Sequence, residues 1–162
     1  MTDGRFLEIV IVLISGVGGA ALMTLFLRLI NDYFHHGVRV PLILGQVVHH
    51  YFSGTRLYRL RYKTIYGHLI HLTVGVLFAI CYTYLWNRGI GGPTALSTFI
   101  FGLVNGLVGM FGWFIFLRST FEPEQVDKRI FFPVIVIAHL FFALGVTSIY
   151  HALRYLIILI TI

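Results

Sequence analysis

The sequence predicts an all-α integral membrane protein, a four-helix transmembrane bundle with a short interfacial helix between the first and second spans. Two observations carry this. Of the 162 residues, 58% are apolar and only 11% charged, with a mean hydropathy of +0.89. A small soluble domain has too much surface to cover with so few charges. In addition, four apolar runs, 6–30, 64–86, 94–117 and 130–153, reach the roughly 20 residues that carry a helix across the hydrocarbon. The whole chain, 1–162, therefore reads as one transmembrane domain. Its formal net charge of +6 sits beside apolar spans, where it serves orientation and contact with anionic headgroups. With no basic groove or binding motif, nucleic acid is excluded as a partner.

Span one, 6–30, carries Ser15-Gly16-Val17-Gly18-Gly19-Ala20-Ala21 at its middle, small residues that let helix backbones approach closely in lipid. Its first residues do not form a secretory signal, because acids flank the one early Arg and no small-x-small cleavage site follows, so the run is expected to stay as an anchor. Arg28 and Asp32 close the span and can snorkel to the interface.

Pro41 opens a short helix, 41–52, since proline is tolerated in a first turn. Leu44, Val48 and Tyr51 share one face, with Gln46, His49 and His50 off it. At that length the helix is expected to lie in the interface rather than cross it.

Span two, 64–86, ends in Tyr82, Tyr84 and Trp86, which fit an aromatic belt. Its one cysteine, Cys81, reads as a small buried apolar residue. Residues 87–93, rich in glycine and ending in Pro93, form a tight turn. Span three, 94–117, carries Gly102, Gly106 and Gly109 as a close-packing stripe with Asn105 beside it. Gly16 and Gly19 play that packing part in span one. Span four, 130–153, is followed by an apolar tail, 155–162, which either lengthens the helix or folds back along the surface.

Arg39, Arg56, Arg59, Arg61 and Lys63 follow span one, and Arg118, Lys128 and Arg129 follow span three, against Arg5, Arg88 and Arg154 on the other side. The positive-inside rule puts the connections 31–63 and 118–129 in the cytoplasm and both termini outside.

Two spans share a layout. His71 in span two and His139 in span four are each followed by Leu, then by a small residue, Gly75 or Ala143, and then by a tyrosine, Tyr82 or Tyr150. Aligning Phe26-Leu27-Arg28 with Phe116-Leu117-Arg118 also pairs Gly16 with Gly106, Gly19 with Gly109 and Ser15 with Asn105. This suggests a parallel internal repeat about an axis along the membrane normal. At 1.5 Å per residue, both histidines lie roughly 10–13 Å inside their spans, on helices diagonal to each other in an up-down bundle. That is the placement a haem b held by two axial imidazoles requires, with Gly75 and Ala143 making room for the macrocycle. The competing reading is packing, each imidazole hydrogen-bonding Asn105, Thr73 or Ser15 across the bundle.

Other candidates are weaker. His35, His36, His49 and His50 form two pairs on the cytoplasmic side whose imidazoles suit a transition metal, but adjacent histidines diverge on a helix and the spacing matches no metal motif. His68 is expected at the hydrated interface, and His151 has only tyrosines opposite. Glu122, Glu124 and Asp127 read as a solvated loop, and no Walker loop, dinucleotide fingerprint, zinc-protease helix or nucleophile elbow occurs.

Gly19-Ala20-Ala21-Leu22-Met23-Thr24 in span one, the Pro41 to Gly45 segment, and Gly67-His68, Gly75 and Tyr82 in span two form a pattern. It resembles small uncharacterised bacterial four-transmembrane-helix membrane proteins. The resemblance implies a multi-pass protein of the bacterial cytoplasmic membrane and brings no activity with it.

The expected function is a non-enzymatic accessory, scaffold or anchor subunit, partnered by the lipid bilayer and by other membrane chains or itself. The alternative is an electron-transfer subunit holding one haem b between His71 and His139. A small transporter or channel comes third, its path limited to Asn105, Thr73 and Ser15.

Overall fold

The computed structural model describes residues 2–34, 39–52, 60–118 and 127–161, with side chains at 4–33, 39–48, 64–118 and 127–160. All the elements among them are helices: α1 (Thr2–Phe34), α2 (Val40–Phe52), α3 (Leu60–Asn87), α4 (Ala95–Arg118) and α5 (Lys128–Thr161). Four of them contain stretches long and apolar enough to cross a membrane: Gly4–Tyr33, Thr64–Asn87, Ala95–Arg118 and Lys128–Ile160. The tail after residue 154 continues α5 without a break to Thr161.

Local chemistry sets the helix ends. In the α3–α4 turn, Gly89 and Gly91 take φ of 76° and 72°, a left-handed backbone that only glycine adopts without strain. Thr94 caps α4, its Oγ1 accepting from the Ser97 N–H at 3.3 Å. Asp127 caps α5 in the same way, its Oδ1 accepting from the Arg129 N–H at 2.9 Å.

The helices pack in a definite order. Helix α1 lies against both α3 and α5, α4 lies against α5, and α2 lies against α3. Thus α1 lies between α3 and α5, and α5 lies between α1 and α4. Helix α5 runs most deeply: Phe131, Ile135, Ala138, Phe142, Ala143 and Val146 are all almost fully buried. Their spacings of three, four and seven are those of one helix face.

Glycines allow the close contacts. Gly145 of α5 meets the Gly19 backbone of α1, where an added Cβ would stand 2.9 Å from the Gly19 Cα. Gly16 abuts the Val76 Cα of α3 in the same manner, and Gly102 and Gly106 of α4 abut the Cα atoms of Leu140 and Val136. At the start of α1 and the end of α5, Glu8 accepts from Tyr150 Oη at 2.6 Å and from Arg154 Nη1 at 2.9 Å. This cluster fixes the start of α1 beside the end of α5.

The structure differs from the sequence reading in two places, Tyr82 and Cys81. On α2 the buried stripe is Val40, Ile43 and Val47, with Leu44 partly buried against the core. A backbone contact sets this face: a Cβ on Gly67 of α3 would collide with the Pro41 carbonyl and press on the Gly45 nitrogen. The helix is seated on α3 by small residues rather than by its largest side chains. Tyr82, assigned to an interfacial belt, is 2% exposed and belongs to the core. Cys81, expected inside, lies exposed on the outer face of α3.

The paired positions of the two halves have different partners. Tyr82 accepts from Asn105, whereas Tyr150 donates to Glu8. Ser15 turns back to the Ile11 carbonyl of its own helix at 2.7 Å. Helix α1 packs along α5, while the backbones of α3 and α4 stand apart.

Candidate functional site

Among the helices a cavity of about 210 Å³ remains. Every helix contributes to its walls. Ala20 and Met23 come from α1, Val40 and Leu44 from α2, His71, Gly75 and Phe78 from α3, Gly109, Gly112 and Trp113 from α4, and His139 and Phe142 from α5. The two histidines singled out by their matching positions therefore open on one space. Both are more than nine-tenths buried, His71 at 8% exposure and His139 at 7%. The lining is otherwise almost wholly apolar. Val74 and Phe116, also on the wall, are exposed on the outer surface, so the cavity reaches the perimeter between α3 and α4.

Local geometry fixes what each ring presents. The His139 Nδ1 lies 2.8 Å from the Ile135 carbonyl one turn back. A carbonyl only accepts, so Nδ1 carries the proton and Nε2 keeps its lone pair. The Cε1–Nε2 edge lies against Gly109, where a Cβ would come within 2.9 Å of Nε2 and cover it. Phe78 meets the same ring edge to face at 6.4 Å. The His71 ring faces the Ala20 carbonyl of α1. Its Nε2 is buried and has no hydrogen-bond partner. Leaving such a group unpaired costs about 1–3 kcal/mol, so an unpaired ring nitrogen beside a cavity is a feature to explain.

The cross-helix bonds expected for the imidazoles are used otherwise. Asn105 Nδ2 donates to Tyr82 Oη at 2.8 Å, Thr73 donates to the Leu69 carbonyl at 2.8 Å, and Ser15 is turned to Ile11. Ser15 and Asn105 are thus bonded in the interior, and Thr73 on an exposed face of α3. The Asn105–Tyr82 bond, with the Tyr82 and Phe101 rings 4.9 Å apart, ties α3 to α4 beyond the cavity. Tyr82→Phe leaves the buried Asn105 amide without this acceptor and is expected to cost about 1 kcal/mol. Unfolding in detergent at graded denaturant reads this loss, and an unchanged midpoint would show that the bond contributes nothing.

Around glycines 75 and 109 and Ala143 the space is already taken. Ala20 Cβ would stand 2.8 Å from a Cβ on Gly75, with Phe142 at 3.3 Å, and Ala143 packs against Gly102. His35 and His36 lie outside the described residues, as do Glu122 and Glu124, and of His49 and His50 only the backbone, in α2, is described. Among the described residues no group of three or more His, Cys, Asp or Glu side chains gathers. His68 Nδ1 donates to the Thr64 carbonyl at 2.7 Å in an exposed position, and His151 Nε2 contacts the Pro93 carbonyl.

Comparison with known protein families, with curated proteins and with solved structures gives no match. The cavity itself is the guide to function. Sequence reasoning missed two of its walls, Met23 and Trp113, because a methionine or tryptophan inside an apolar run looks like any other packing residue.

Proposed function

We propose that this chain is a non-enzymatic accessory subunit of a membrane assembly that holds a small ligand between two helices, on the imidazoles of His71 and His139. The single observation behind this is that His71, whose buried Nε2 is unpaired, lines one cavity together with His139. Ionisable groups within membrane spans are functional candidates by default, because their placement there is costly. In this reading the four long helices form a transmembrane bundle in a bacterial cytoplasmic membrane. The basic connections 31–63 and 118–129 face the cytoplasm and both termini face outward, as the lysine and arginine distribution favours.

A haem b on the same two nitrogens is the second reading, supported by two histidines from different helices lining one cavity. The size of the cavity favours a smaller guest. At about 210 Å³ it lies below the roughly 300–1,000 Å³ of pockets that take a whole organic ligand. A macrocycle would have to displace Ala20 or Phe142 from Gly75.

The test is the protein purified from its own membranes in mild detergent, with metal content and the reduced-minus-oxidised absorption spectrum recorded together. One ligand per chain is expected in the wild type, and its loss in both His71→Ala and His139→Ala while the helical content stays. A ligand signal that survives in full in either variant would sink the proposal.

A further inference from the structure

The geometry points to monovalent copper as the ligand of this pocket, held by His71, His139 and the thioether of Met23. The inference rests on the bis-histidine reading above and names the chemical class of its guest.

Three features of the wall narrow the choice. The first is the donor set. Among the described residues no carboxylate or thiolate lines the cavity with the two imidazoles, and the remaining side-chain donor is the sulfur of Met23, 4% exposed on α1. Imidazole with thioether is a soft set, which selects Cu(I) over the divalent ions that prefer oxygen. Zinc sites close with about four nitrogen, sulfur or oxygen ligands, and this wall offers three donors. Cu(I) is content with so low a coordination number.

The second is charge. Two neutral imidazoles and a thioether leave the charge of the ion uncompensated, and burying charge in an apolar medium is expensive. A single positive charge costs far less than two, since the solvation penalty grows with the square of the charge. Phe78, Trp113 and Phe142 surround the space, and aromatic faces attract a desolvated cation.

The third is readiness. The His139 Nδ1 proton is engaged by the Ile135 carbonyl, which fixes the tautomer with Nε2 free to ligate, the arrangement common to metal-bound histidines. His71 Nε2 is likewise unengaged. The absence of a side chain at Gly109 lets the His139 ring edge approach α4, where a Cβ would stand 2.9 Å from Nε2. Binding needs no proton release and no electron transfer: Cu(I) leaves its carrier ligands and forms bonds to two lone pairs and one sulfur.

The experiment is an anaerobic titration of the full chain in mild detergent with Cu(I), in competition with a chromophoric Cu(I) chelator, followed by X-ray absorption at the copper edge. One Cu(I) per chain is expected, with sulfur among the scatterers. His71→Ala and His139→Ala should each weaken binding by about 100-fold, and Met23→Leu by at least about 10-fold with loss of the sulfur signal. Leucine conserves the volume of methionine, so that variant should remain folded. Copper held equally well by Met23→Leu would overturn the thioether assignment. Binding of haem or zinc in a His71- and His139-dependent way, with Cu(I) refused, would overturn copper and leave the bis-histidine pocket standing. Wild type and both histidine variants alike in binding none of the three would overturn both.

Discussion

Gly145→Leu is expected to destabilise the protein by about 3 kcal/mol or more, because the new side chain has no space to enter. At Gly145 a Cβ would meet the Gly19 Cα at 2.9 Å, Leu22 Cβ at 3.3 Å and the Gly18 carbonyl oxygen at 3.4 Å. Two of those neighbours are backbone, which cannot rotate aside as the tip of a flexible side chain does. Overpacking in a filled core costs about 1–3 kcal/mol where side chains can give, and more where they cannot. The alternative is for α1 to move away from α5, opening the contact that also seats Phe142 and Val146 against Gly19. In lipid, helix association depends on close van der Waals packing, so a widened interface has little to replace it. Gly112 of α4 is the control. A Cβ there meets nothing within 4 Å, so Gly112→Ala should change stability by less than about 0.5 kcal/mol. Unfolding in detergent, followed by helix content, compares the two. Equal stability of Gly145→Leu and wild type would mean that α1 and α5 do not meet at these glycines.

The long helices were legible in the sequence because length and hydropathy are summed over whole segments and tolerate local misreading. Rotation about the helix axis was harder to read. In a chain whose outward faces are also apolar, polarity does not mark the inside, and burial must be read from size. On α2 the inward face is chosen by the Pro41 and Gly45 backbone fitting Gly67, while Leu44 and Val48 stay half-buried. Tyr82 and Cys81 failed for the same reason. A tyrosine near a span end reads as an interfacial anchor whether or not an amide waits for it, and here Asn105 does.

The site was legible to the extent that it is polar. His71 and His139 stood out as rare ionisable groups at equal depth, and that placement brings them to one cavity. Their surroundings were invisible. The expectation that Gly75 left room for a plate overlooked that a glycine in a packed helix serves as readily to admit a neighbouring helix, and Ala20 of α1 is that neighbour. Met23 carries no polar signature, so its place on the cavity wall is a fact of helix rotation alone.

Phe142→Ala separates the stability of this core from the chemistry of its histidines. Phe142 is 2% exposed, lines the cavity, and meets the Phe78 and Tyr82 rings at 6.2 and 6.1 Å. Truncating a buried phenylalanine costs about 3–5 kcal/mol, through lost burial and through the void that rigid neighbours cannot close. Here Gly19 and Gly75 flank the ring, and helices already in contact have little freedom to collapse inward. The new void joins the existing 210 Å³ and remains apolar, so a small aromatic solute such as benzene should restore part of the lost stability. Phe99, 55% exposed on α4, supplies the contrast, since its truncation removes contact with the surroundings and leaves no internal void. That variant should stay within about 0.5 kcal/mol of wild type. Because both imidazoles remain, the folded fraction of Phe142→Ala should still bind its ligand through His71 and His139, more weakly for the loss of one of the three aromatic faces. A variant that unfolds at the wild-type midpoint, or gains nothing from benzene, would mean that the ring does not fill the centre of the molecule.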